Sequence, residues 1–442
     1  MTYRRTIQAA LALILAAGAA GAADLPAPLT DADYLPVSRV EADLGRWLFY
    51  DPILSGNRNI SCATCHHPRF ATGDGVSLSL GEGGIGLGPD RRPDPLNPPE
   101  QRIPRNAPAL FNMGAREMRA LFHDGRIERD PSRKAGFRTP LEEDMEDGFS
   151  GILSAQTMFP VLSQDEMAGH YSENDISTAV RRGRITGPGG AWDLIAARVA
   201  AIPGYADAFA AAYPDTAERG IAFTDISNAV AAFMALEWRS DQSPFDAHLR
   251  GQAALTGAAA DGMALFYGAA GCSACHSGPL QTDHGFHAMG QPQIGPGKAA
   301  RFERHARDEG RMRVTGRAED RFAFRTPSLR NVMQTGPWGH AGAYADLRVF
   351  LAAHQRPGHA LASYDRALAV LPDLAGAQDW RVLDDAAETA AITAAAAPDG
   401  PELSGPQIDM LLAFLAMLSD PVALSGRLGI PDAVPSELPI DR

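Results

Sequence analysis

The chain has 442 residues, 45% of them apolar and 21% charged, with a formal net charge of −13 at pH 7. This is enough length for two domains of about 100–200 residues each, and enough apolar content for each to bury a core. The acidic balance excludes nucleic acid as a natural partner and favours basic protein surfaces through long-range attraction.

In chain order, the first element is "MTYRRTIQAALALILAAGAAGAADLP". A basic start at Arg4 and Arg5, an apolar run from Ala9 and the small residues Ala20-Gly21-Ala22 have the layout of a secretory signal peptide. The run falls short of the roughly 20 residues that a spanning helix needs, and no later stretch could span a membrane either. The expectation is a signal peptide over residues 1–22. It leaves a mature chain that begins near Ala23, lies in the periplasm, has no membrane span and is more acidic by the two lost arginines.

The next segment, "SRVEADLGRWLFY" (38–50), reads as a helix. Ser38 with Glu41 three residues on has the form of a capping box, and the helix closes on G-x-x-L-F-Y. It leads into Cys62-Ala-Thr-Cys65-His66. Residues 72–108, rich in Gly and Pro, predict a loop. "FTDISNAVAAFMALEW" (223–238) then spaces Ile226, Val230, Phe233, Met234 and Leu236 at helical intervals, and "SDQSPFD" breaks it. A second G-x-x-L-F-Y, "GMALFY" (262–267), leads into Cys272-Ser-Ala-Cys275-His276, and much of 277–322 again reads as loop. Strand-like alternation is scarce. The repeated helix tail and cluster predict a duplicated, mostly α chain.

These four cysteines are all the chain has. C-x-x-C-H is the attachment pattern of c-type haem. On one helical turn the two thiols reach the two vinyl positions as thioethers, and the adjacent histidine ligates the iron. Zinc also takes C-x-x-C pairs, but it would have to bring both pairs together and would leave both histidines unexplained. A redox dithiol predicts no histidine at that position. The expectation is two covalently attached haem c groups in two cytochrome c-like domains with long loops. Their bounds are residues 23–240 and 241–442, with the C-terminal tail packing back on the first domain.

Several further motifs accompany the clusters: "RNAPALFN" (105–112), "LFHDGR" (121–126), "AQTMFPVLSQDEM" (155–167), "SPFD" (243–246), "GRMRVTGRAEDRFAFRTPSLRNV" (310–332) and "GPWGHAG" (336–342). In their order and spacing the chain resembles the bacterial di-haem cytochrome c peroxidase superfamily. That superfamily includes MauG-type enzymes, which oxidise residues of partner proteins. The resemblance spans roughly residues 38–360.

The resemblance implies roles for particular residues. Where many members carry a loop histidine that caps the first haem, this chain has Glu82, and no histidine occurs between His67 and His123; the first haem is expected to have a vacant face. Gln156 and Glu166 keep the interval of the family's peroxide-site pair. Glu166 would move a proton between the two peroxide oxygens and Gln156 would orient the ligand. At the second haem the family's sixth ligand, methionine or tyrosine, falls on His354, with His340 and Met333 as rivals. The family's bridging tryptophan is replaced by His123, and Trp338 is a candidate substitute. The family's calcium ion maps to the Asn106 side chain and the Thr335 and Pro337 carbonyls. His284 and His287 are open between a metal pair and solvated or haem-carboxylate-bonding roles.

Three functions are compatible with these residues. The first is a peroxidase that reduces hydrogen peroxide with electrons from a cytochrome c-like or other protein donor. The second is a MauG-like enzyme that oxidises Trp or Tyr residues of a protein substrate. The third is a non-catalytic di-haem electron carrier. The resemblance also allows a homodimer.

Overall fold

The computed structural model describes residues 25–299 and 303–442. The signal-peptide expectation lies outside the described residues. The described chain is helical with long irregular connections, and its strands are two or three residues long. The largest sheet joins Ala120–Leu121, Ile127–Arg129 and Phe137–Arg138, all antiparallel. Among the described residues no single helix is long and apolar enough to cross a membrane.

Two helix crossings organise the chain. In the first, helix Arg39–Tyr50 packs across helix Phe223–Glu237. In the second, helix Gly257–Phe266 packs across helix Gly405–Ala416. The glycine of each G-x-x-L-F-Y tail makes the crossing possible. A Cβ on Gly45 would sit 1.8 Å from the Ala229 carbonyl oxygen and 2.9 Å from Phe233 Cβ; on Gly262 it would sit 1.8 Å from the Met410 carbonyl and 3.0 Å from Phe414 Cβ. Glycine costs a helix interior about 0.5–1 kcal/mol relative to alanine, so its return at the same place marks a shared steric requirement.

The rest of each tail fills a core. Leu48, Phe49 and Tyr50 are buried in the first half, and Phe266 and Tyr267 in the second. Phe49, Phe233 and Trp238 form a mutual cluster with centroids 5.1–5.2 Å apart; Phe266 and Phe245 meet Phe414 at 5.1 and 5.3 Å. Such pairs add about 0.5–1.5 kcal/mol each beyond the area they bury. Ser38 stands at the N-cap of the first helix, but its side chain makes no capping bond. The expected capping box is absent, and the first turn is instead tied by an Arg39–Asp43 ion pair at 2.8 Å.

The two halves interlock. Arg105 binds Asp124 of its own half at 2.8 Å and Asp308 of the other at 2.6 Å, and all three side chains are buried. Arg311 reaches back to Glu128 at 2.7 Å. In the "SPFD" motif Ser243 caps a short helix, and the fully buried Arg330–Asp246 pair at 2.7 Å also binds the Pro279 carbonyl. This pins the segment after the second cluster. Removing one partner of such a pair leaves an uncompensated buried charge. The C-terminal tail crosses to the first half: Ala423 and Val434 are buried in its core, with Leu428, Ile430, Leu438 and Ile440 packed against it. Asp441 accepts a hydrogen bond from Thr64 Oγ1, inside the first C-x-x-C, at 2.5 Å.

Candidate functional site

Each cluster opens on a cavity. The first, of about 370 Å³, is lined by Cys62, Cys65 and His66. After the attachment turn the chain passes a 3-10 turn, Pro68–Phe70, then two residues of positive φ, Ala71 and Thr72. This reversal brings the Thr72 carbonyl to 2.9 Å from His66 Nδ1. A proton on Nδ1 is donated there, which leaves Nε2 as the nitrogen with a lone pair to offer a metal. The second cavity, of about 480 Å³, is lined by Cys272, Cys275 and His276. His276 repeats the device, with Nδ1 3.1 Å from the Gln281 carbonyl.

Burial holds both histidines below their ordinary pKa, so both rings are neutral, the form in which imidazole can ligate a metal. It also pushes the Cys62 thiol up to about 12 and Cys65 and Cys272 up to about 11. A redox dithiol or thiolate site needs the reverse. All four thiols are free of disulfides. These residues fit two c-type haems.

The cavities differ in what else enters them. Gln156 and Glu166 line the first. Gln156 ends helix Ile152–Gln156; Glu166 sits on a π-helical turn, Gln164–Ala168, of a type frequent at functional sites. The Ser163 carbonyl accepts from the amides of Glu166, Met167 and Ala168 at 2.9–3.2 Å. The loop at Gly81 clamps the turn from outside. A Cβ on Gly81 would lie 2.0 Å from the Asp165 carbonyl, and the Glu82 amide donates to that same oxygen at 2.9 Å. Glu82 itself is buried elsewhere, accepting from Asn57 and Asn59 at 3.0 and 2.8 Å, and is absent from the cavity wall. The imidazoles lining this cavity are His66 and His123; its sulfur groups beyond the cluster are Met113, Met167 and Met234.

In the second cavity His354, on helix Leu347–Gln355, faces His276 with ring centroids 6.2 Å apart. That gap accepts one metal ion between two nitrogens, given imidazole–metal bonds of roughly 2 Å. Burial, reinforced by His276 and His287, drops His354 to about 3, and its Nδ1 has no partner. The rivals are placed differently. His340 lines the cavity but stacks on Phe324 at 3.8 Å, while Met333 packs in the second core and does not line the cavity.

His123 lines both cavities, and so do Asn106 and Arg325. Burial, then Arg105, His340 and Arg325, holds His123 well below the ordinary imidazole value, so a neutral ring stands between the sites. Trp338 lines the second cavity alone and donates to the Val332 carbonyl at 3.0 Å.

Thr335 and Pro337 line the second cavity with Asn106. The Asn106 amide donates to the Val76 and Ser77 carbonyls, which turns its Oδ1 away from them. The oxygens these three offer are neutral and few, and calcium takes 6–8. His284 and His287 do not form a pair: His284 meets Glu117 at 3.4 Å, and His287 meets Asp283 at 2.8 Å.

Two cations at the first cavity are not foreseen from the sequence. Arg325 is half-buried, its guanidinium has no carboxylate partner, and desolvation alone lowers it to about 10. Its Nε donates to the Phe122 carbonyl at 3.2 Å, and its amide to the His123 carbonyl at 2.7 Å. It lies in "RFAFRTPSLRNV", directly after the apolar run Phe322-Ala323-Phe324, where its partial burial could have been suspected. Lys298 comes from a Gly-Pro loop of the second half that carries no signal of its own.

The family described as di-haem cytochrome c peroxidase matches residues 39–254. The chain is 30% identical over 320 residues to the methylamine utilization protein MauG of Methylorubrum extorquens, covering 72% of this chain and 69% of that one. It is 28% identical over 359 residues to the cytochrome c551 peroxidase of Pseudomonas aeruginosa, covering 80% and 84%. Its fold is similar to the crystal structure of a MauG-like protein associated with microbial copper homeostasis, with a TM-score of 0.56, 25% identity and coverage of 91% and 95%.

Proposed function

The chain belongs to the family of di-haem cytochrome c peroxidases and MauG, and on that premise we propose that it reduces hydrogen peroxide to water at the first cavity, with electrons entering through the second. The observation that carries this reading is the unequal furnishing of the cavities. The first holds His66 with a carboxylic acid and an amide, the second a facing pair of imidazoles. Cys62, Cys65 and His66 would hold one haem, and Cys272, Cys275, His276 and His354 the other. When bound, these groups supply the electron transfer and peroxide activation that no side chain provides.

The chain's residues do the rest. The Thr72 carbonyl fixes the His66 ring and raises its basicity as a ligand. Gln156 orients peroxide by hydrogen bonding. Glu166 takes the proton from the near oxygen and returns it to the far one, so that water leaves; positioned acid–base groups contribute roughly 10²–10⁴-fold. Each peroxide consumes two protons and two electrons. Neutral His123 lies along the path between the cavities. His354 would close the second site against peroxide and, together with His276, would hold its haem at a lower potential than a His/Met pair would. The chain acts after export, in the periplasm, with a small cytochrome c-like protein as donor. A calcium ion on the oxygens of Asn106, Thr335 and Pro337, with waters completing its shell, would stiffen the join between the halves.

A second reading is favoured by the similarity to MauG: the same machinery would oxidise Trp or Tyr residues of a protein substrate. Steady-state assay of peroxide with reduced cytochrome c decides between them. Sustained turnover is the expected result. Negligible turnover with a long-lived oxidised state would replace this reading with the second, and inertness to peroxide would leave an electron carrier.

A further inference from the structure

The first cavity is not built by the first half alone. Lys298, from the loop "QIGPGK" (293–298), lines it together with Gln156, Glu166 and Arg126. The loop that delivers this lysine is tightly held. Gln293 exchanges two 2.8 Å hydrogen bonds with the Asp308 backbone, and the Gly295 amide donates to the Asp379 carbonyl at 2.8 Å. Gly297 has a φ of +67° and would press a Cβ to 1.9 Å from the Ala306 carbonyl.

Of the other cations at this cavity, Arg105 is paired with Asp124 and Asp308 and Arg126 with Asp124; Arg325 has no carboxylate partner, but its guanidinium N–H groups are turned onto the Phe122 and Thr326 carbonyls. Among the described residues no carboxylate lies within ion-pair distance of Lys298.

We propose that Lys298, contributed by the second half, is the anion-recruiting residue of the first cavity: its ammonium draws small anions, the hydroperoxide anion among them, to the space beside Glu166 and Gln156. This rests on the reading of that cavity as the peroxide site. Among the described residues, the charges that act on Lys298 most strongly are Arg126, Glu166, Arg105 and Asp124. Burial first, then the Arg126 charge, lowers its pKa to about 8, with Glu166 opposing. The ammonium is therefore charged below that pH and is lost as pH rises through it, whereas an exposed lysine stays charged to about 10.

The test is optical titration of the oxidised holoprotein with azide and, as an uncharged control, imidazole. Azide affinity of the unaltered chain should fall as pH rises through about 8. K298M should weaken azide about tenfold, the order of one charge interaction in a partly wet site, abolish that pH step and leave imidazole binding unchanged. K298R should keep azide affinity and carry it past the step, because arginine does not titrate there. If K298M does not fold, an unmoved step in K298R overturns the proposal by itself. Equal azide affinity in K298M and the unaltered chain, with a shifted potential of the first haem, would assign the lysine to a haem carboxylate and overturn it too. No azide binding in any variant would overturn the peroxide-site reading and this inference together.

Discussion

Gly45 lets helix Arg39–Tyr50 lie against the Ala229 carbonyl, and Gly262 lets helix Gly257–Phe266 lie against that of Met410. Both crossings lead into C-x-x-C-H, and both histidines hand Nδ1 to a carbonyl a few residues on. To this point the halves are the same device. They part where other segments enter: a π-helical turn brings Glu166 to the first cavity, and helix Leu347–Gln355 brings His354 to the second. The attachment unit thus fixes where an iron is held. Segments about a hundred residues away in the first half, and some eighty away in the second, determine what it can do.

The sharpest way to break the comparison is to disable one side at a time. Glu166→Gln should slow the reaction with peroxide by roughly 10²–10⁴-fold in stopped flow while leaving attachment of both haems intact; an unchanged rate would remove the carboxylate from the mechanism. His354→Ala should open the second site, so that its low-spin signal disappears and added imidazole restores it. A surviving low-spin signal would clear His354 of ligation and leave His340 as the ligand. The gentlest change tests the shared architecture. Gly45→Ala and Gly262→Ala should each cost about 1–3 kcal/mol by overpacking, seen as similar falls in denaturant midpoint. A neutral Gly262→Ala would mean that the second crossing is not a copy of the first.

Much of this was legible because each feature is tied to a residue type. Thioether formation demands cysteines at fixed spacing, and the close crossing demands glycine, so both repeats could be read directly. The placement of Glu166 and Gln156 at one cavity and of His354 at the other was legible through spacing within motifs that resemble a known family. The orienting partners of His66 and His276 were not, because a backbone carbonyl at Thr72 or Gln281 leaves no mark on residue identity. Lys298 was equally hidden, since its role depends on a loop of one half entering the cavity of the other. Ser38 shows the opposite failure: the local pattern of a capping box was present, and the bond was not.

If one side of the first iron is free while both sides of the second are held by imidazole, electron paramagnetic resonance of the fully oxidised protein shows it most directly. One high-spin and one low-spin ferric signal in equal amounts is the predicted result, the low-spin component having the form of two nitrogen ligands. Two low-spin signals, or a second haem without nitrogen opposite His276, would contradict it.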